Sequence, residues 1–427
     1  MNSGRRITIS GMKKGINMNR REFLKSTLTV AALAPVTRLA AEATGTGTSS
    51  KNGRVPQVTR RRYKDTELTL PLLGFGLMRL PEKDGKVDRA TAQEMVDRAM
   101  AAGCNYFDTA YMYHNGESES FVAEALKKYP RDSYYLTTKM PTIMLKNEAD
   151  LERIFNEQLQ RTGAGYFDFY LMHWLNAPHW ELAKRLKLYD FMKKKQSEGK
   201  IRRLGFSYHG EPEVLKTIAQ AYPWDIAQIQ LNYLDWELCR SGEQYEVLTK
   251  LGIPVLVMEP LKGGTLVNLT PEAKAIFQQA SPEASIASWG LRYVASLPNV
   301  QVVLSGMSAP DQMDDNLKTF SPFKPLTDAE RQTVAEALAA YRKSGAIPCT
   351  ACRYCAPCPV GVDIPRNLAL YNQLKGGLPL FHAKLVYDAM SEDKRASNCV
   401  HCGACKKKCP QKIDIPGHLK EIAEMFQ

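Results

Sequence analysis

The chain has 427 residues, too many for one ordinary domain and enough for a barrel-sized unit with a further module. With 44% hydrophobic and 24% charged residues it has the composition of a globular protein, which excludes a disordered chain, a coiled coil, a collagen-like repeat and a polytopic membrane protein. The net charge of +12 is confined to one end: residues 1–62 carry thirteen Lys/Arg against two acids, Glu22 and Glu42, so the rest is near neutral and no nucleic-acid partner is expected.

The first element in chain order is a leader. Asn19-Arg20-Arg21-Glu22-Phe23-Leu24-Lys25 precedes the apolar run Thr27–Val36 and the small-residue end Ala40-Ala41-Glu42-Ala43, the three parts of a signal peptide over residues 1–43. The apolar run falls well short of the roughly 20 residues that span a bilayer, so no stable membrane span is expected once it is removed. Arg20-Arg21 with Phe23-Leu24-Lys25 resembles the twin-arginine export signal, which implies a periplasmic or exported protein; Met18 is an alternative start. Residues 44–62, rich in Gly, Thr, Ser and basic residues, read as a flexible linker.

Residues 63–325 alternate short apolar runs with longer amphipathic ones, the pattern of parallel strands joined by crossover helices, at the length of a (β/α)8 barrel. Expected strands are Leu72–Gly76, Asn105–Asp108, Tyr134–Thr138, Asp168–Met172, Arg202–Phe206, Ile226–Ile229, Pro254–Met258 and Gln301–Leu304. Expected helices include Ala90–Ala102, Glu148–Arg161, Trp180–Glu198 and Pro282–Ala295, and a short pair at Tyr63-Lys64 and Glu67-Leu68-Thr69 is expected to close the barrel bottom. No G-x-G-x-x-G follows the first strand, which argues against a Rossmann unit.

Barrel chemistry sits at the C-terminal ends of strands, and those ends place Asp108, Tyr113, Lys139 and His173 on one rim. The set suits carbonyl reduction: a phenol to give a proton, a lysine to lower its pKa, an aspartate to hold the lysine, and a histidine to orient a carbonyl oxygen. The runs Phe107-Asp108-Thr109-Ala110-Tyr111-Met112-Tyr113, Thr137-Thr138-Lys139 and Leu171-Met172-His173 resemble the catalytic signatures of aldo/keto reductases. The resemblance implies Tyr113 as proton donor, Lys139 and Asp108 as its tuning pair, His173 as orienting residue, and NADP or NAD across the barrel mouth. Ser207, Gln228 and Asn316 match cofactor-binding positions of that family. Tyr208 stands where it usually has Asn, Met258 where a ring usually stacks on the nicotinamide, and Ser305-Gly306-Met307 with Gln312 where basic residues often clamp a 2′-phosphate. Trp174, Trp236 and Tyr111 are candidates for an aromatic pocket taking a small carbonyl or sugar-like substrate.

Residues 326–427 hold eight of the ten cysteines, after a connecting helix expected at Ala329–Lys343. Cys349-x2-Cys352-x2-Cys355-x2-Cys358-Pro359 and Cys399-x2-Cys402-x2-Cys405-x3-Cys409-Pro410 each lead into Asp-Ile-Pro, an internal repeat. Structural zinc favours paired cysteines closing one tetrahedron, which two runs of four with trailing prolines fit poorly. The runs resemble a small α-rich ferredoxin-like domain with two 4Fe-4S clusters. It implies one cluster on Cys349, Cys352, Cys355 and Cys409, and the other on Cys399, Cys402, Cys405 and Cys358. Two functions follow as expectations: a reductase with an attached electron-transfer module serving a redox partner protein, or an electron-transfer or ligand-binding protein whose barrel has left nicotinamide chemistry.

Overall fold

Eight short runs of β-branched and aromatic residues, flanked by Gly, Pro and polar turns, become strands: β1 (Leu73–Gly76), β2 (Tyr106–Asp108), β3 (Tyr135–Pro141), β4 (Phe167–Leu175), β5 (Ile201–Tyr208), β6 (Ile226–Gln230), β7 (Val255–Met258) and β8 (Val300–Ser305). In the computed structural model, which describes residues 55–64, 66–376 and 378–426, each strand runs parallel to the next and β8 closes on β1. The chain is thus an α/β protein built on a (β/α)8 barrel, followed by a small helical domain carrying the cysteines. The leader expected over residues 1–43 lies outside the described residues, as does the linker up to residue 54. No helix of the described residues is long and apolar enough to cross a membrane.

Strand alternation sorts the core into two layers. Tyr106, Phe169, Leu171, Ile226, Leu256, Val302 and Leu304 fill the barrel interior, with Tyr63 and Leu70 below them. Phe107, Tyr170, Met172, Ala227 and Val303 pack outward against the helices. Burial of this kind stabilises by roughly 25 cal/mol per Å² of apolar surface.

Several expected boundaries move. The end of the linker belongs to the fold: Val58 is buried, and Arg60–Arg62 pairs with Thr69–Pro71 in an antiparallel hairpin, so the bottom hairpin starts before Tyr63. The helix expected over Trp180–Glu198 is two, Ala177–Arg185 and Leu188–Ser197, because Lys187 turns left-handed (φ 51°) between them. That expected over Pro282–Ala295 begins at Ile286, where the Ser285 side chain accepts from the Ser288 amide and caps it. The expected connecting helix, Asp328–Lys343, opens with a Thr327–Glu330 capping box. It buries Val334, Ala337 and Tyr341 against Phe277 and Trp289, which makes it part of the barrel's outer ring.

The cysteine domain has its own core around Leu368, Leu419, Ile422 and Phe426, from helices Ile364–Lys375 and Ile415–Phe426. Each copy of the Asp-Ile-Pro repeat opens one of these helices; Asp363 caps the first by accepting from the Arg366 amide. Barrel and cysteine domain together make one compact unit from Val55 onward.

Candidate active site

Parallel register carries the expected residues to one rim. Asp108 ends β2 opposite Thr137, Lys139 pairs with Leu171, and His173 pairs with Pro141 at the end of β3. Tyr113 follows in a tight turn closed by its amide on the Ala110 carbonyl. The Lys139 ammonium donates to Asp108 Oδ1 at 2.6 Å and to the Thr109 carbonyl at 2.8 Å, and lies 3.4 Å from the Tyr113 hydroxyl. Gln228 Nε2 donates to the other Asp108 oxygen at 3.2 Å. The Tyr113 and His173 rings meet edge to face, 6.0 Å apart. Asp108, Tyr113, His173, Ser207, Gln228 and Asn316 all line one cleft of about 820 Å³ at the barrel mouth.

Burial pushes the Asp108 carboxyl up and the Lys139 ammonium down, and each is held charged by the other. Burial, with Asp108 and Glu259 adding to it, drives the Tyr113 phenol well above its usual range. The lowering expected from the lysine is therefore outweighed in the resting site. The ammonium is already matched by Asp108, so desolvation wins and the phenol keeps its proton. Burial and the Lys139 charge hold His173 well below the usual imidazole range, so its ring is neutral. Its Nδ1 is buried without a partner among the described residues. A neutral ring carries one N–H, and buried N–H groups are rarely left without an acceptor, so the ring proton is assigned to Nε2 as a donor.

The cofactor positions suit a nicotinamide. Ser207 and Gln228 are register partners on β5 and β6, giving a paired hydroxyl and amide for a carboxamide. Asn316, buried, anchors to the Ser305 hydroxyl at the far end of the cleft. Met258 is on the wall where the related family has a ring, and Asp311 and Gln312 stand near Ser305-Gly306-Met307 with Arg79 and Lys274 as the cations. The aromatic expectations fare less well. Tyr111 bonds Glu157, and Trp236 packs edge to face on Tyr293. Tyr208 points its phenol at the Glu211 carbonyl. Trp174 reaches the rim but is covered by a ring from the other domain, Tyr354, stacked at 4.4 Å.

Sequence reasoning missed that the cysteine domain roofs this cleft: Cys352 and Tyr354 line it beside Tyr113. The seam is a buried polar lock. Gln411 exchanges amide hydrogen bonds with Gln230 at 2.8 and 3.0 Å, accepts from Lys262 and donates to Glu259. Lys262 is in turn paired with Asp235, both fully buried. Arg79 donates to the Thr350 carbonyl, and Gly263 (φ 63°) comes so close to it that a Cβ there would sit 2.5 Å from that oxygen. Gln411 follows Cys409 by two residues, and a lone Gln in a cysteine run carries no signal of this role.

Among the described residues no three His, Cys, Asp or Glu side chains are grouped closely enough to hold one metal ion. Cys349, Cys352, Cys355 and Cys409 instead surround a hollow walled by Ile364, Leu368 and Ile413. Burial raises the first three thiols and the Cys409 sulfur raises each further, as expected of four sulfurs crowded around one hollow. The Ala351 amide points at the Cys349 sulfur at 3.4 Å, a contact that suits a cluster thiolate. Burial likewise raises Cys405, with Cys399 and Cys402 beside it. Cys358 lies at the rim of a separate hollow with Cys355 and Val362.

Comparison with known proteins agrees. The sequence model of the aldo/keto reductase family matches residues 72–339, and that of a 4Fe-4S dicluster domain matches residues 348–413. An NADH-specific methylglyoxal reductase of Escherichia coli is 25% identical over 319 residues, covering 64% of this chain and 95% of that protein. An aldo-keto reductase of Mycobacterium avium is 28% identical over 262 residues, covering 60% and 82%. The holo form of an aldo-keto reductase from Bacillus halodurans superposes with a TM-score of 0.55 at 25% identity, over 66% of this chain and 96% of that one. The chain belongs to the aldo/keto reductase family of oxidoreductase enzymes, with a 4Fe-4S dicluster domain joined behind its barrel.

Proposed function

We propose that the barrel interconverts a small carbonyl or sugar-like compound and its alcohol with a nicotinamide dinucleotide in the cleft, and that the two 4Fe-4S clusters of the attached domain take one electron each, together matching the two electrons of one hydride while its proton goes to solvent, and pass them to a redox partner protein. The observation that carries the first part is the Lys139 ammonium held between Asp108 and the Tyr113 hydroxyl, with His173 beside them. A bound nicotinamide supplies hydride to the carbonyl carbon. Tyr113 and the His173 Nε2 proton hold the carbonyl oxygen; as negative charge grows there, Tyr113 transfers its proton. The Lys139 ammonium then stabilises the phenolate, and Asp108 keeps that lysine charged in a buried site. Ser207, Gln228 and Asn316 hold the cofactor. Asp311 on the wall, with Gln312 in place of a cation, favours a ribose hydroxyl over a 2′-phosphate, hence NADH over NADPH. The NADH-specific E. coli relative supports that choice.

Cys352 on the cleft wall supports the electron-transfer part. At the other cysteine run Cys402 and Val400 are exposed beside Lys406, Lys407 and Lys408, a surface suited to an acidic redox partner. The Arg20-Arg21 leader supports work outside the cytoplasm. A second reading, electron transfer without nicotinamide chemistry, is favoured by Met258 where a stacking ring is usual. One titration separates the two: NADH and NADPH added anaerobically to the cluster-loaded protein, following nucleotide fluorescence and visible absorbance together. Tighter NADH binding with bleaching of the cluster band is expected, and Tyr113→Phe should cut carbonyl reduction by about 10² to 10⁴. Binding of neither nucleotide moves the protein to the second reading; full turnover by Tyr113→Phe overturns the role of the phenol.

A further inference from the structure

The turn that carries Tyr113 is left-handed from the next residue on. His114 (φ 50°, ψ 42°) and Asn115 (φ 55°, ψ 30°) both lie in that region, and Gly116 (φ 95°) follows before the helix Glu117–Leu126 begins. Two successive non-glycine residues keep such a conformation only where their surroundings impose it. The Tyr113 hydroxyl does little to hold itself. Its one hydrogen-bond contact among the described residues is the Lys139 ammonium at 3.4 Å, which Asp108 and the Thr109 carbonyl already take at 2.6 and 2.8 Å. The seat of the phenol is therefore set from the backbone side, by whatever fixes the turn. The His114 ring is placed to do so. Its side chain is 8% exposed and both ring nitrogens are engaged: the Leu80 amide donates to Nε2 at 3.1 Å, and Nδ1 lies 3.0 Å from Glu82 Oε1. Because Nε2 accepts, the ring proton sits on Nδ1, facing the carboxylate. Both bonds cross to another stretch of chain, which is itself braced. Leu77 and Leu80 are buried, the Ser118 hydroxyl donates to the Leu77 carbonyl at 3.0 Å, and Arg79 holds the Thr350 carbonyl at 2.8 Å.

We propose that His114 is a positioning residue for the proton donor: a neutral imidazole braced between Leu80 and Glu82, which holds the left-handed turn and with it the Tyr113 phenol beside Lys139. Its effect on turnover rests on the carbonyl-reduction reading; its effect on where the phenol sits does not. What the site requires is the pair of an acceptor and a donor on one short rigid group, and imidazole offers them on either side of a single ring carbon. Without the pair the turn is free to leave its strained conformation, and Tyr113, joined directly to His114, moves with it. Proton transfer depends steeply on placement, and a shift of about 1 Å costs as much as 10²-fold in rate. Ser207, Gln228 and Asn316 stand on other elements, β5, β6 and the helix Pro310–Phe320, so nucleotide binding does not pass through the brace.

The test uses the cluster-loaded protein with its clusters oxidised. His114→Phe and His114→Met each remove both the acceptor and the donor while filling the space. His114→Gln keeps both, on an amide that accepts from Leu80 and donates to Glu82. Far-UV circular dichroism and visible absorbance select the variants that are folded with the parent's cluster content. Steady-state kinetics with NADH and glyceraldehyde give kcat, nucleotide fluorescence gives the Kd of NADH, and a fluorinated tyrosine placed at position 113 reports the phenol by fluorine NMR. In His114→Phe and His114→Met kcat is expected to fall about 10- to 100-fold with the Kd of NADH unchanged, and the fluorine resonance, single in the parent, to split. His114→Gln is expected to restore both the turnover and the single resonance. A folded His114→Phe or His114→Met with the parent's kcat and one resonance overturns the brace, and so does a His114→Gln that falls as far as they do. If the parent does not reduce glyceraldehyde, it is the carbonyl reading that fails. The fluorine resonance then still decides the brace, for it if the signal splits in His114→Phe and His114→Met and stays single in His114→Gln, and against it otherwise.

Discussion

Lys139→Met tests whether the centre of the site is a desolvated ion pair. Lys139 is 1% exposed and Asp108 3%, with 2.6 Å between nitrogen and oxygen. Removing the ammonium leaves the Asp108 carboxylate facing only Gln228 Nε2 at 3.2 Å and strips the Thr109 carbonyl of its donor. Breaking a buried pair from one side costs about 3–5 kcal/mol, because the surviving charge stays buried. The cost depends on pH in a defined direction. Burial already pushes Asp108 up, and without lysine nothing comparable holds it down. Its folded pKa then stands above the unfolded value of roughly 3.9, so the variant loses stability as pH rises from the unfolded pKa to the folded one, by about 1.4 kcal/mol for each pH unit between them, and loses no more beyond it. Urea midpoints of the cluster-loaded protein, read by tryptophan fluorescence at pH 6 and pH 8.5, should show the larger deficit at pH 8.5. Asp108→Asn in the Lys139→Met background should recover most of it, because the orphaned charge is gone. A deficit under about 1 kcal/mol with no pH dependence would refute the argument, since it would mean that water reaches the pair.

Two further outcomes follow from other parts of the chain. Gln411→Leu removes the amide that Gln230, Lys262 and Glu259 share across the seam, at roughly 1–3 kcal/mol for each polar group left unpaired; a lower urea midpoint and faster bleaching of the visible band in air are expected, and no change in either would show that the lock is not structural. Replacing both leader arginines, Arg20→Lys with Arg21→Lys, should retain the protein in the cytoplasm on cell fractionation, and unimpaired export would remove the twin-arginine reading.

The barrel was legible because its signal is local. Strand starts could be read within a residue, while β3 and β4 run three residues and β5 two residues past their expected ends and so take in Lys139 and His173; the rim set still followed because parallel strands deliver their C-terminal residues to one face whatever the loops do. The cysteine runs were legible for the same reason: cluster ligation is written in short spacings. Helix breaks were less so. Nothing in Trp180–Glu198 marks Lys187 as left-handed, and the helix at Asp328–Lys343 read as a connector because its partners, Phe277 and Trp289, lie far back in the chain.

By itself the sequence determined the fold class, the four residues at the barrel rim and the two cysteine runs, all of which rest on periodicity and spacing within a few residues. Only the tertiary structure decided the electrostatics and the roof. Tyr113 keeps its proton because burial outweighs a lysine that Asp108 has already neutralised. Tyr354 rather than Trp236 or Tyr111 walls the cleft, and Gln411 locks to Gln230 from 181 residues away. Such contacts join segments with no common pattern, and desolvation depends on what the whole fold places around a group, so neither is encoded in any short stretch of chain.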